Sequence, residues 1–134
     1  MIKKTITYFD YNDVERTEDF YFILTEAEVL EMEMSISGGL TEMIKRIVAT
    51  QDQPAIIKIF KDLILKAYGE KSPDGKRFIK SEEIATAFSQ TEAYSQLFMK
   101  LATDADEASK FVNGIVPTGA VRQLEASSIT TASN

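Results

Sequence analysis

The first apolar residues of the chain are β-branched or aromatic and sit among polar ones. Lys3 to Tyr8 contains Thr5, Ile6, Thr7 and Tyr8, residue types that favour strands. Asp10, Asn12 and Asp13 follow, and these residues favour turns. Glu15 to Ile23 then supplies Thr17, Phe20, Tyr21, Phe22 and Ile23, with Arg16, Glu18 and Asp19 giving a polar face. The pattern predicts a β-hairpin over about residues 3–23. Two strands alone are marginal in water, so helices from the rest of the chain, or the edge of a neighbouring copy, must cover them.

From Thr25 the period becomes helical. Thr25-Glu26-Ala27-Glu28 is a capping box, predicting a glutamate-rich helix to about Met34 that Ser37-Gly38-Gly39 ends. Leu40, Met43, Ile44, Ile47 and Val48 fall on one face of a second helix. Asp52 is positioned to cap a third, with Pro54 in its first turn. Its wide stripe of Ile56, Ile57, Ile59, Phe60, Leu63, Ile64, Leu65 and Tyr68 marks it as the central core helix. Gly69 to Gly75 breaks the pattern, Ser72-Pro73-Asp74-Gly75 being a strong turn signal, and Lys76 to Lys80 reads as a short extended piece. Ser81 then caps a helix with Ile84, Ala85, Ala87 and Phe88. Thr91 caps one with Tyr94, Leu97, Phe98, Leu101 and Ala102. Asp104 or Asp106 caps a last one with Ala108, Phe111, Val112 and Ile115, stopped by Gly114 and Pro117.

These elements predict an α+β fold: a hairpin packed on a mostly α-helical body of about five to six short helices, residues 25–116, in one domain of residues 1–117. Residues 118–134 are rich in Ser, Thr and Ala and read as a flexible tail or linker, with Val121 to Ala126 able to form a short helix on a partner.

Composition narrows the chemistry. The 134 residues include no Cys, His or Trp. Disulfides, thiolate metal sites, cysteine nucleophiles and histidine-based triads are therefore excluded. Lys plus Arg is 15 against 21 for Asp plus Glu, a net charge of -6, which disfavours a nucleic-acid partner. No stretch approaches the ~20 apolar residues of a membrane span. Lys3 and Lys4 are followed by no apolar signal region, so the chain is expected to stay in the compartment where it is made.

Each candidate site has a plainer reading beside it. Asp104, Asp106 and Glu107 suggest cation ligands, but a calcium loop needs Gly at its sixth and Glu at its twelfth position. Ser109 and Ile115 stand there, so helix capping is the better account. Ser72 to Arg77 has a glycine and two cations but lacks the glycines and Lys-Ser/Thr pair of a phosphate loop, and reads as a surface turn. Glu26, Glu28, Glu31 and Glu33 read as a solvated helix face. Met32, Met34, Met43 and Met99 suit either a core or a plastic binding surface. Phe78, Phe88, Tyr94, Leu97, Phe98 and Phe111 are core-type residues, and faces left over among them are the candidate partner-binding residues. No catalytic, cofactor or metal constellation emerges.

Three runs carry a family resemblance: Tyr68 to Lys80, Phe88 to Phe98, and Leu101 to Asp106 leading to Phe111-Val112-Asn113-Gly114-Ile115-Val116-Pro117. Together with the Tyr-rich hairpin and Leu24-Thr25-Glu26-Ala27-Glu28, they resemble the tail assembly chaperones of siphophages of Gram-positive bacteria, over roughly residues 1–117. The resemblance implies a non-enzymatic protein that coats the tape measure protein in the host bacterial cytoplasm. It would hand over to tail tube subunits and be absent from the mature virion. It also implies self-association into a ring or filament, and a possible longer form made by ribosomal frameshift, of which this chain would be the short form. The competing expectation is a structural virion protein, such as a head–tail connector or tail completion subunit.

Overall fold

The N-terminal hairpin forms as expected. The computed structural model describes residues 1–35, 49 and 53–117. Strands β1 (Ile2–Phe9) and β2 (Glu15–Phe22) pair antiparallel along their whole length, from Ile2 opposite Phe22 to Phe9 opposite Glu15. The turn is built on Asp10. Its carboxylate accepts from the N–H groups of Asn12 and Val14, its carbonyl accepts from Asp13, and its amide donates to the Val14 carbonyl. Asp13 supplies the left-handed residue that this loop requires, at φ 60°. Period two separates the faces: Ile2, Lys4, Ile6 and Tyr8 turn towards the helices, and Lys3, Thr5, Thr7 and Phe9 towards solvent. On the solvent face Thr5 donates to Asp19 and the hydroxyls of Thr7 and Thr17 meet.

Five helices follow among the described residues: α1 (Glu26–Ser35), α2 (Gln53–Ala67), α3 (Glu82–Ser89), α4 (Glu92–Thr103) and α5 (Ala105–Ile115). The capping box holds α1, with Thr25 and Glu28 exchanging backbone–side-chain bonds of 2.9 and 3.1 Å. Ser81, Thr91 and Asp104 cap α3, α4 and α5 in turn. Pro54 lies in the first turn of α2. The expected second helix around Leu40 to Val48, its stop at Ser37-Gly38-Gly39, the Asp52 cap and the tail of residues 118–134 lie outside the described residues.

Three expectations need correction. The hairpin is part of a four-stranded sheet, in the order β1-β2-β3-β4: β4 (Phe78–Ile79) falls within the extended piece expected at Lys76 to Lys80, but β3 (Tyr68–Lys71) was not expected. Tyr68 is therefore a strand residue, not the end of the core helix. The chain leaves α2 where Ile23 donates to the Ala67 carbonyl, and the outer edge of β2 captures it, with Phe22 opposite Tyr68 and Tyr21 opposite Gly69. Gly69 allows the close approach of β4, because a Cβ there would lie 2.5 Å from the Phe78 ring and 2.7 Å from the Ile79 carbonyl oxygen. Second, Gly114 does not stop α5, which runs on to Ile115. It sits inside the helix where a Cβ would come within 2.9 Å of the Ile2 side chain. Third, the apolar stripe of α2 is buried mainly in its second half, at Leu63, Ile64 and Ala67, whereas Ile57 is exposed.

The core lies between the sheet, the second half of α2 and the last three helices. Phe22, Leu24, Ile64, Leu101, Phe111 and Ile115 are its fully buried large side chains. The Leu24 amide donates to the Ile115 carbonyl, so the end of α5 is stitched to the exit of β2.

Candidate partner-binding surfaces

The predicted site residues divide by burial. Phe88, Leu97 and Phe111 are core residues, with Phe111 wholly enclosed and its ring edge-on to Phe22 at 5.3 Å. Tyr94 and Phe98 are half-buried and continue outward from Phe88 along one face of α4, at centroid spacings of 5.6 and 5.9 Å. At the inner end of that row Phe88 stacks on Tyr68 at 4.1 Å. Phe78 stands apart on β4, half-buried, with the Lys80 ammonium 5.8 Å from its ring. The structure thus joins Phe88, Tyr94 and Phe98 in one aromatic row and leaves Phe78 elsewhere.

The largest exposed apolar side chains lie elsewhere. Phe9, Tyr11 and Val14 crowd the hairpin tip, with Tyr11 75% exposed. They alternate with Asp10, Asn12 and Asp13, and that interleaving of aromatic and turn residues was the available signal. On α1, Leu30 and Met34 lie one turn apart and both are exposed. Among the methionines Met1, Met34 and Met99 are exposed, Met32 is half-buried, and Met43 lies outside the described residues.

Charged groups hold these surfaces in place. Asp10 pairs with Arg16 at 2.6 Å behind the tip. That guanidinium, helped by the Val14 and Asn12 amides, holds the Asp10 carboxyl below the ordinary carboxylate range. Tyr8 donates to the Glu18 carboxylate across the hairpin, a bond that, with burial, pushes its phenol up to about 12. Lys80 reaches back to α1, donating to the Ile23 carbonyl at 2.6 Å and to both oxygens of Glu28 at 2.7 and 2.9 Å. Burial pushes the Glu28 carboxyl up, but Lys80 and the Thr25 amide outweigh it, and the net direction is down. Lys4 pairs with Glu107 of α5 at 3.5 Å.

The remaining sequence candidates are structural. The Asp104 carboxylate accepts from the amides of Asp106 and Glu107. Asp74 closes its turn by accepting from Ser72 Oγ and Lys76 N, with Gly75 at φ 75°. A cleft of about 430 Å³ opens between β2 and β3, where Glu18, Asp19 and Phe20 face Glu70 and Lys71. Among the described residues no three acidic, histidine or cysteine side chains stand together as a metal centre, and no helix is long and apolar enough to cross a membrane.

The arrangement is that of a small α+β protein with exposed apolar side chains at its hairpin tip and on α1. The chain belongs to the phage tail assembly chaperone family, whose sequence model matches residues 1–133. No curated protein and no solved structure matches it.

Proposed function

We propose that this chain binds the tape measure protein, keeps it soluble, and helps recruit tail tube subunits, associating with further copies of itself as it does so. It acts without catalysis, in the host cytoplasm, and does not remain in the virion. Membership of the tail assembly chaperone family carries this reading. The exposed apolar residues support it: a protein that holds an apolar client needs such surface, and single small proteins rarely leave it in contiguous patches without use. In this reading the hairpin tip, with Phe9 and Tyr11, and the outer end of the aromatic row, Tyr94 and Phe98, meet the client. The net charge of -6 keeps the loaded complex in solution.

The test is co-expression of the tagged chain with the tape measure protein of the same gene cluster, followed by mass analysis of what co-purifies. A soluble complex with several copies of this chain is the expected outcome. Purification of this chain alone, with the tape measure protein in the pellet, overturns the reading. Recovery at fixed stoichiometry in purified virions overturns it in favour of a connector or tail completion subunit.

A further inference from the structure

The outer edge of β1 and the half of β2 that β3 leaves uncovered carry opposite charge. In an antiparallel ladder, alternate residues point their N–H and C=O groups at the partner strand and the others point away. Asp10 donates to the Val14 carbonyl at the end of the β1–β2 ladder, so the even-numbered residues of both strands face one another. Lys3, Thr5, Thr7 and Phe9 therefore turn their backbone groups to the outer edge of β1, where no backbone bond meets them among the described residues. On β2 the odd-numbered residues turn the other way. Ile23 bonds Ala67, and Tyr21 stands opposite Gly69 on β3. Then β3 diverges to join β4, the cleft opens, and Asp19, Thr17 and Glu15 are left with an edge that no backbone bond meets among the described residues. All the residues from Glu15 to Asp19 are exposed.

We propose that a second copy of this chain fills that edge, the β1 edge of one copy adding antiparallel to the free half of β2 of the next. Charge and parity select both occupant and register. With Lys3 opposite Asp19, the pairing also sets Lys4 opposite Glu18, Thr5 opposite Thr17 and Ile2 opposite Phe20. Lys3 then meets an acid on the solvent face, Lys4, which Glu107 of its own copy already engages, stands opposite a second one, and each outward-facing backbone group meets another. Pairing β1 with β1 offers its two lysines no acid, and pairing β2 with β2 in the register that centres on Thr17 sets Glu15 against Asp19 as often as it sets Arg16 against Glu18, with no net gain of charge complementarity. Because the two joined edges differ, the contact does not close on itself as a two-fold dimer, and copies add in series. This gives the self-association proposed above its surface, and rests on that reading.

The absence of cysteine makes the test clean. Chains carrying Lys3→Cys or Asp19→Cys are oxidised separately and as a mixture. Directly opposed residues of a hydrogen-bonded antiparallel pair lie about 5.5 Å apart at Cα, within the range of a disulfide. The mixture is expected to form a covalent pair of one chain of each kind, and neither chain alone to crosslink comparably. Sedimentation of cysteine-free chains supplies the second readout. The unaltered chain should grow in series with concentration. Lys3→Glu and Asp19→Lys should each associate about three- to tenfold more weakly, and an equimolar mixture of the two should recover. If Asp19→Lys does not fold by circular dichroism, Thr17→Pro serves instead, removing an outward N–H from the part of β2 that β3 leaves uncovered, together with the exposed hydroxyl contact to Thr7. Association that ignores these changes, crosslinking of Lys3→Cys with itself, or a closed dimer overturns the edge while leaving self-association standing. A monomer at every concentration overturns both, and the co-purification test of client binding then stands by itself.

Discussion

Single residues in this chain are fixed by contacts of two ranges. Caps are local, so Thr25, Ser81 and Thr91 were readable from spacing alone and the last cap was narrowed to Asp104 or Asp106; Thr25, Ser81, Thr91 and Asp104 each accept an amide at the start of their helix. Tyr8 and Glu18 were not readable as a pair, because their meeting depends on strand register. Their bond has a measurable consequence. The Tyr8 phenol is raised from its ordinary 10.0 to about 12. The folded chain thus holds this proton more tightly than the unfolded chain does. The resulting stabilisation is complete below pH 10 and is lost as pH rises from there through about 12. Absorbance titration should find one tyrosine ionising near 12, and Glu18→Gln should bring it down. An unchanged titration curve in that variant would refute the assignment. At Gly69 the packing leaves no room, because one close neighbour is a backbone oxygen that cannot turn aside. Gly69→Ala should cost about 1–3 kcal/mol in chemical denaturation, as overpacked positions do.

At the scale of elements, helices α3 to α5 and the hairpin were legible because each carries its own period and punctuation. The four-residue strand β3 was not. Its Tyr68 completes the apolar stripe of α2, and only the waiting edge of β2 decides that the helix ends at Ala67. Helix α1 illustrates the same limit. Its box and length were readable, but its attachment depends on Lys80, fifty-two positions away from Glu28. Lys80 holds the N-terminal end of this helix, while its far end carries the exposed Leu30 and Met34. Lys80→Met should therefore loosen α1 by about 1–3 kcal/mol, the worth of hydrogen bonds to charged groups. Hydrogen exchange should show the loss in residues 26–35 before the sheet. The Glu28 carboxyl is depressed in the folded chain, so its contribution is present above the ordinary carboxylate range and fades as pH falls through its folded value. Glu28→Gln should flatten that acid limb. A loss of exchange protection spread evenly over the chain would show that Lys80 supports the whole fold instead.

For the molecule as a whole, the distinction that matters is between aromatic residues that make the fold and those that the fold leaves exposed. Sequence spacing placed Phe78, Phe88, Tyr94, Leu97, Phe98 and Phe111 in one class, because helical period reports which face is apolar and not how deep the face lies. The fold separates them: Phe111 is fully enclosed, Tyr94 and Phe98 keep an open side, and the most exposed aromatic is Tyr11 at the hairpin tip. The two groups should respond oppositely to substitution. Phe111→Ala removes a buried ring from the centre of the core and should cost about 3–5 kcal/mol, with client binding lost only because the chain unfolds. Phe9→Ser with Tyr11→Ser touches exposed side chains and should leave the melting temperature nearly unchanged. If the tip grips the apolar client, the same double variant should release the tape measure protein into the insoluble fraction on co-expression. Full retention of the soluble complex by a folded double variant would move the binding surface away from the hairpin. The outer aromatic row of α4, tested by Tyr94→Ser with Phe98→Ser, would then be the remaining face of the proposed contact.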